Sequence, residues 1–474
     1  MHSKATVWYA RCIVICLSIV MLTIPMRFVL RNIVYERMGI CEPWMKYFMV
    51  SDAELLDNLE KNETDKNYAE KPVMINWEEW YPFSSEDSEP TEVVDETFGH
   101  KFQRAWNQYE ELIHAVEGKL EYYCEEGLFF YHQAVAVASK LEHMVGLEAS
   151  ASGDVLQMNN GYLTYMEPEC PEEDIQEIAD EVQDFDAFLK SMDIPFFYAN
   201  AGSKVCPYDR QLSDGVEEYT NQNGTALLTA LQKRGVDTLD FREKMQADHL
   251  DWYDSYYKTD HHWKTETGLW AAGKLAEKLN EEADLNFDAA MFEKENYRFD
   301  TFETCFLGGQ GRSVSGINAQ IEDYTRILPA FDTRFSLQIP TRSVDLTGSY
   351  EQVLFDADRM EQILSYSAND HMNRPGAYDC ARARNDALVH IRNLNAPDNA
   401  DQTILLLQDS FSWYSTSFLA CDIGAVDTIY PGAFSGSIRA YIQETKPDAV
   451  VLMYCERNIK PIDWTTHESA FDLR

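Results

Sequence analysis

The sequence is poor in positive charge. Its 474 residues include 40 Lys and Arg against 80 Asp and Glu, which gives a formal net charge of −40. That much negative charge repels nucleic acid, so the composition argues against a DNA or RNA binder. Two zinc-binding patterns are also missing: the ten cysteines form no C-x-x-C pair, and no His-Glu-x-x-His spacing occurs. The sequence shows no internal repeat period either.

Apolar residues, in contrast, are plentiful enough for a large core. Hydrophobic residues make up 45% of the chain and aromatic residues 13%, which argues against extensive disorder. The length fits two or three domains, or one large domain with insertions.

An uncharged apolar run lies near the N-terminus, at residues 12–26, between Arg11 and Arg27. A membrane-spanning helix needs about 20 residues, so we predict an anchor over residues 11–30 that follows a cytoplasmic tail at 1–10. No small-residue cleavage site follows the run, which disfavours a secretory signal peptide. A signal peptide and a buried soluble helix remain the alternatives. The anchor predicts a single-pass membrane protein whose catalytic domain is extracytoplasmic.

The rest of the chain divides by composition and pattern. Residues 31–100 contain a purely acidic stretch without a long apolar period and are predicted to form a stalk or cap. Residues 101–474 are predicted to form one doubly wound α/β domain with a mostly parallel sheet and helices on both faces. Strand, helix and strand patterns with short connections occur at residues 194–241 and 402–455. A less regular insertion at about 285–400 separates these two parts.

Two adjacent histidines follow an aspartate in the stretch TDHHW, residues 259–263. In an extended segment Asp260 and His262 project to the same side, and a carboxylate so placed orients an imidazole and stabilises its protonated form. His261 is then predicted to point away, toward packing or solvent. The alternative interpretation is that Asp260 caps a turn and that both histidines are packing residues.

A serine lies between a hydrophobic strand and a predicted helix in the stretch ILLLQDSFSW. Ligands bind at the carboxyl ends of parallel strands, and helix amides there stabilise an oxyanion. An ordinary helix N-cap, filled by Ser410 or Asp409, is the alternative. Together with the Asp-x-His pattern, the serine predicts a triad of nucleophile, base and orienter: Ser410, His262 and Asp260. Ser412 is predicted to be much less important.

A metal site at Asp260, His261 and His262, joined by His249, is a second hypothesis. Adjacent histidines of an extended chain face opposite sides and do not easily share one ion. We therefore expect neither a metal nor another cofactor.

These stretches resemble a known family. TDHHW with a helix that begins TETG, and later LLLQDSFSWYSTSFLA, resemble the DHHW branch of the SGNH hydrolase-like superfamily, whose relatives include AlgX/AlgJ-type alginate O-acetylation proteins. Four further stretches match in order: VLQMNNGYLTYM, IPFFYANAGSKVCPYD, CFLGGQGRSVSG and KPDAVVLMYCERNI. The resemblance covers roughly residues 150–460. It implies a flavodoxin-like α/β/α fold and the same triad, although Gln408 replaces the glycine of the usual G-D-S motif.

A glycine-rich stretch, FLGGQGR at residues 306–312, suits an oxyanion hole because glycine amides approach a ligand closely. A plain turn is the alternative. With the resemblance, Gly308 and Gly309 become candidates for oxyanion or substrate binding. Lys204 follows a predicted strand end and is a further candidate, with a solvated loop as its alternative.

The predicted function is a membrane-anchored, exported serine acyltransferase or esterase. By resemblance, it acts on O-acyl groups, in particular O-acetyl groups, of a cell-envelope or secreted polysaccharide or another glycan. A membrane-bound acyl-relay protein is an expected partner. Transfer to a glycan hydroxyl and hydrolysis by water both remain open. A non-catalytic glycan-binding or envelope scaffold protein with the same fold is the third hypothesis.

Overall fold

The structure, a computed structural model, describes residues 155–213, 215–314, 321–365, 376–395, 400–462 and 469–474. The predicted tail, anchor and stalk at residues 1–100 lie outside these ranges. None of the helices within them is both long enough and apolar enough to cross a membrane. The anchor therefore stays a prediction.

The described residues form twelve strands. In chain order they are β1 (Val155–Gln157), β2 (Leu163–Tyr165), β3 (Phe196–Ala201), β4 (Thr238–Asp240), β5 (Tyr297–Phe306), β6 (Glu322–Pro329), β7 (Phe335–Ile339), β8 (Val344–Gly348), β9 (Val389–Asn393), β10 (Thr403–Gln408), β11 (Ala425–Ile429) and β12 (Ala449–Cys455). Strands β1 and β2 pair antiparallel, as do β5 and β6. The other eight form the central sheet.

The central sheet has the order β4-β3-β12-β10-β11-β9-β7-β8. The first five strands run parallel to one another, and the last three are antiparallel to their neighbours. The predicted mostly parallel α/β sheet is therefore confirmed.

Nine α-helices accompany these strands in the described ranges. They are α1 (Glu172–Lys190), α2 (Thr220–Lys233), α3 (Phe241–Ala247), α4 (Thr265–Ala283), α5 (Gly309–Ser313), α6 (Tyr350–Val353), α7 (Ala357–Ser365), α8 (Trp413–Leu419) and α9 (Ile438–Thr445). Helices α1, α2 and α9 bury their apolar side chains in one core, and α4 and α8 bury theirs in another.

The two cores lie on opposite faces of the sheet. Along β10, Ile404 and Leu406 belong to the core of α4 and α8, whereas Leu405 and Leu407 belong to the core of α1, α2 and α9. This alternation follows from the period of two along a strand. Because both faces are covered, the central parallel strands β10 and β12 are almost continuously apolar, and each fully buried aliphatic side chain contributes about 1.5–3 kcal/mol.

The region predicted as an irregular insertion, at about 285–400, is more regular than expected. It contains β5 to β9, and β7, β8 and β9 extend the central sheet beyond β11. In β7, buried Phe335, Leu337 and Ile339 alternate with more exposed residues. A short alternating strand gives a weaker sequence signal than the continuous apolar run of a parallel strand.

Candidate active site

The candidate nucleophile lies where β10 ends. A single 3-10 turn, Ser410–Ser412, follows the strand, and the Ser410 side chain is partly exposed. The N-cap of this turn is Asp409, whose carboxylate accepts the Phe411 N–H at 2.9 Å. Because Asp409 fills the cap, the hydroxyl of Ser410 is available to face another group.

Asp409 also ties the serine turn to the neighbouring strand. Its second carboxylate oxygen accepts the Cys455 N–H and the Asn458 side-chain amide, both at 2.6 Å. Burial raises the pKa of Asp409, although these hydrogen bonds oppose that shift. Strands β10 and β12 are parallel neighbours, so this contact fixes two carboxyl ends at one rim of the sheet.

Gln408, which replaces the usual glycine, is fully buried and hydrogen-bonded. Its side-chain oxygen accepts the hydroxyls of Ser412 at 2.8 Å and Thr416 at 2.9 Å. The glutamine therefore anchors α8 to the end of β10. Ser412 is directed at this anchor.

The candidate base approaches the serine from the loop that precedes α4. His262 Nε2 lies 2.7 Å from Ser410 Oγ, and His262 Nδ1 lies 2.6 Å from Asp260 Oδ1. Both distances are within the range for a nucleophile, a general base and the group that orients it. Asp260 and His262 are each 7% exposed, so this chain of contacts is shielded from bulk water.

Asp260 is held in its ionised form. Burial alone raises its pKa, but His262, His261 and the Gly309 N–H lower it, and the net pKa is well below its usual range. An ionised Asp260 accepts a hydrogen bond from the N–H at Nδ1 of His262, which fixes the proton of the ring on that nitrogen. The lone pair of Nε2 then faces Ser410, as a general base requires.

The prediction that His261 points away is wrong. Its ring centroid lies 3.8 Å from that of His262, and its Nδ1 lies 3.4 Å from Asp260 Oδ1. Residues 260–262 form a bend and not an extended segment, so side-chain alternation does not apply. Asp260 faces His262 for a local reason, since its carboxylate also accepts the His262 backbone N–H at 3.1 Å. Burial, together with the neighbouring His262, lowers the pKa of His261.

The two candidate glycine amides have acceptors other than an oxyanion. The Gly308 N–H donates to Thr259 Oγ1 at 3.0 Å, and the Gly309 N–H donates to Asp260 Oδ2 at 2.8 Å. This geometry does not fit their predicted oxyanion role. The Gly309 amide holds Asp260, and the Gly308 amide holds the neighbouring Thr259.

Lys204 does not face a substrate either. It is 2% exposed, and its Nζ donates to the carbonyl oxygens of Tyr257 at 2.9 Å and Asp260 at 2.6 Å and to Gln310 Oε1 at 2.8 Å. Burial lowers the pKa of Lys204 to about 7, against the influence of Glu322 and Asp260. The geometry makes Lys204 an internal support of the loop and excludes the solvated-loop alternative.

Glu322 supports the same loop by accepting its backbone N–H groups. No sequence motif indicates this role. Its carboxylate accepts the backbone N–H of Lys258 at 2.6 Å and the backbone N–H of Thr259 at 2.7 Å. It also accepts the Thr259 hydroxyl at 2.6 Å. Lys204 thus holds carbonyl groups, and Glu322 holds amide groups, of the segment 257–260.

Two aromatic residues connect the histidine to the serine turn. The Tyr378 ring stacks on His262 with centroids 4.1 Å apart, and its hydroxyl donates to the Ser410 carbonyl at 3.1 Å. Buried Trp263 donates its ring N–H to the Phe411 carbonyl at 2.8 Å. Trp263 belongs to the TDHHW motif, whereas Tyr378 belongs to no motif that the sequence shows.

Asp260, His261 and His262 form a group whose donor atoms lie within 4.8 Å of one another. Asp260 Oδ1 and His262 Nδ1, however, are only 2.6 Å apart. Two ligands of a tetrahedral zinc ion, each about 2.0–2.1 Å from the metal, lie more than about 3 Å apart. An ion would therefore have to open the Asp260–His262 contact. His249 is exposed and is not part of the group.

Comparisons with known proteins agree with this fold. The family model described as "SGNH hydrolase-like domain, acetyltransferase AlgX" matches residues 163–310, a range that includes Asp260 and His262 but ends before Ser410. A search of curated proteins found no matching sequence.

Solved structures show the same likeness. Bacillus cereus PatB1 is 16% identical with a TM-score of 0.52, and the match covers 68% of this chain and 99% of that chain. The same protein with a sulfonyl adduct is 15% identical with a TM-score of 0.51, at the same coverage. A DHHW family protein from Eubacterium siraeum is 14% identical with a TM-score of 0.49, covering 67% of this chain and 93% of that chain.

The described residues have an SGNH-like α/β fold, and residues 163–310 match the SGNH hydrolase-like family model. The resemblance to SGNH hydrolase-like proteins of the AlgX type, inferred from the sequence, is confirmed by this family-model match. At these identities the structural likeness to PatB1 establishes the fold alone.

Proposed function

We propose that this protein is an SGNH-type serine acyltransferase or esterase in which Ser410 is the nucleophile, His262 the general base and Asp260 its orienter. The observation that carries the proposal is the unbroken chain from Ser410 Oγ to His262 at 2.7 Å and from His262 to Asp260 at 2.6 Å. A serine hydroxyl alone is a weak nucleophile, and an adjacent base of this kind activates it.

The first half of the reaction forms an acyl-enzyme. As Ser410 Oγ attacks the carbonyl carbon of an acyl ester or thioester donor, its proton passes to His262 Nε2. The bond to the leaving group then breaks, and His262 returns the proton to that group. Asp260 stays ionised throughout and stabilises the positively charged imidazole.

The second half regenerates the enzyme. A hydroxyl of the acceptor gives its proton to His262 Nε2 and attacks the acyl carbon, and the proton then passes to Ser410 Oγ as that bond breaks. With a sugar hydroxyl as acceptor the reaction is a transfer, and with water it is a hydrolysis. The same residues perform both.

The oxyanion of each tetrahedral intermediate needs hydrogen-bond donors. Since the amides of Gly308 and Gly309 are engaged with Thr259 and Asp260, we assign one donor to the Ser410 backbone N–H. Within the described ranges this N–H has no hydrogen-bond acceptor. It belongs to the nucleophile itself, so it lies close to where the oxyanion forms.

The proposed acceptor is a hydroxyl of a cell-envelope or secreted polysaccharide, and the proposed acyl group is acetyl. The support is the match to a family model named for the acetyltransferase AlgX.

A single membrane anchor at residues 11–30, with the catalytic domain extracytoplasmic, is part of the proposal and rests on the apolar run at residues 12–26. Protease added to intact cells should remove the domain, and full protection of the domain would refute this location.

The direct test replaces one serine at a time. Ser410→Ala should abolish turnover of a small acetyl ester and leave the melting temperature nearly unchanged. The control, Ser412→Ala, removes a buried hydrogen bond to Gln408 and should cost about 1 kcal/mol of stability while turnover persists. Undiminished turnover by Ser410→Ala would refute the triad and favour the hypothesis of a non-catalytic scaffold protein.

A further inference from the structure

An arginine lies on the same rim of the sheet as the candidate nucleophile. Arg457 is in the 3-10 turn Glu456–Asn458, directly after β12. Asp409, next to Ser410 in the chain, binds both ends of this segment through Cys455 and Asn458. The serine turn and the arginine turn are therefore fixed to each other by one carboxylate.

The guanidinium of Arg457 joins the histidine pair through an aromatic ring. It lies over the Tyr165 ring, 4.1 Å from the centroid. The Tyr165 ring is in turn 5.9 Å from that of His261, which packs against the base His262. Arg457, Tyr165 and His261 are each partly exposed. They form a continuous face that ends at the base, and we call these three residues the Arg457 face.

The guanidinium of Arg457 is only partly paired. Arg457 Nε donates to buried Glu167 at 2.9 Å, and Lys460 Nζ contacts the same carboxylate at 3.1 Å. Two cations thus share one carboxylate. The terminal nitrogens of Arg457 have no partner among the described residues, and its side chain is 26% exposed.

A second polar atom lies at the other end of the face. His261 Nδ1 is buried and makes no hydrogen bond within the described part of the chain, and it lies 3.4 Å from Asp260 Oδ1. A guanidinium with free terminal nitrogens binds carboxylate and phosphate oxygens in a forked geometry. In a protein of formal charge −40, a partly paired arginine on the same rim as the candidate nucleophile is well placed to select an anionic ligand.

We propose that the Arg457 face is an anion-binding subsite for the acyl acceptor. Arg457 binds a carboxylate or phosphate group of a glycan, and Tyr165 and His261 line the sugar ring beside it. The subsite places the hydroxyl to be acylated next to His262. This inference rests on the proposed function for its catalytic meaning, while the binding itself can be measured without turnover.

The binding test uses three monosaccharides, namely glucuronate, glucose 6-phosphate and glucose, titrated into the full-length protein and followed by NMR. We expect at least one anionic sugar to bind tenfold or more tightly than glucose. Arg457→Gln should remove that preference, and Arg457→Lys, which keeps the charge but not the fork, should restore part of it. Preference for glucuronate alone indicates an acidic glycan, and preference for glucose 6-phosphate alone indicates a phosphorylated one.

Lys460→Gln is the matched control, because Lys460 contacts the same carboxylate but is not part of the Arg457 face. It should keep the anion preference. Equal binding of all three sugars by the wild type, or a preference that survives in Arg457→Gln, would overturn the subsite.

In turnover assays, Arg457→Gln should raise the ratio of KM for acidic to KM for neutral acceptors tenfold or more. Anion selectivity without any ester turnover would leave the subsite standing and refute the proposed function.

Discussion

The serine turn and the histidine loop meet at one contact, but the protein holds them in different ways. The serine turn, residues 409–412, is positioned by its own strand and by the end of the adjacent parallel strand β12. The histidine loop, residues 257–262, is positioned by Lys204, Glu322 and the start of α5. The serine turn is thus fixed mainly to strand ends of the central sheet, whereas the histidine loop is fixed by side chains and amides from outside that sheet edge.

The two regions also differ in the number of charged and titratable groups that they contain. The serine turn contains one buried carboxylate, Asp409, which binds only neutral donors in its hydrogen bonds. The histidine loop combines an ammonium group, two carboxylates and two imidazoles in a buried space. Substitutions in the histidine loop are therefore the sharper way to test how the site is assembled.

The largest expected effect separates the two histidines. His262→Ala removes the base and should lower kcat on a neutral aryl acetate by about 10⁴–10⁶-fold, as for other catalytic triads. His261→Ala removes only a neighbouring ring and should lower it about tenfold or less. Steady-state kinetics of both variants, with circular dichroism as the check on folding, measures this difference. Equal losses would show that the base has been misassigned.

A smaller effect separates the two glycines. A Cβ on Gly308 would overlap Asp260 Cβ and the Thr259 carbonyl oxygen, whereas a Cβ on Gly309 would meet its nearest atom, Asp260 Oδ2, at 3.8 Å. Because a displacement of about 1 Å at a catalytic group costs about 10²-fold, Gly308→Ala should lose about that much kcat.

The control for this displacement is Gly309→Ala, which should stay within a few-fold of the wild type. Rates are compared on the same neutral ester. Similar activity of the two alanine variants would contradict the role of α5 in placing the aspartate.

The smallest effect concerns Glu322. Glu322→Gln replaces a carboxylate that accepts from Lys258 and Thr259 and should cost about 1–3 kcal/mol of unfolding free energy. We expect kcat to fall about tenfold with little change in KM, because Asp260 is misplaced and substrate contacts are not touched. Glu351→Gln, a more exposed carboxylate paired with Arg326, is the control. A stability loss with unchanged kcat would limit Glu322 to a structural role.

The sequence predicted those features that depend on local patterns. Continuous apolar runs identified the parallel strands β3, β10 and β12, and the strand–serine–helix order singled out Ser410. The Asp-x-His spacing singled out Asp260 and His262, which the structure brings together with Ser410.

Features that depend on tertiary packing could not be read in this way. Lys204 and Glu322 act on the histidine loop across 56 and 64 positions of sequence. The amides of Gly308 and Gly309 bind Thr259 and Asp260 because the start of α5 packs beside them. A bend at residues 260–262 sets the direction of the His261 side chain. No pattern of residue types predicts that bend.

The central claim is that Ser410 is a nucleophile activated by His262, and covalent labelling tests it most directly. The folded protein is treated with a sulfonyl fluoride or a fluorophosphonate, digested and mapped by mass spectrometry. We expect one adduct, on Ser410, that is lost in His262→Ala and in denatured wild-type protein. No adduct on Ser410, or equal labelling of Ser410 in the folded wild type and in His262→Ala, would contradict it.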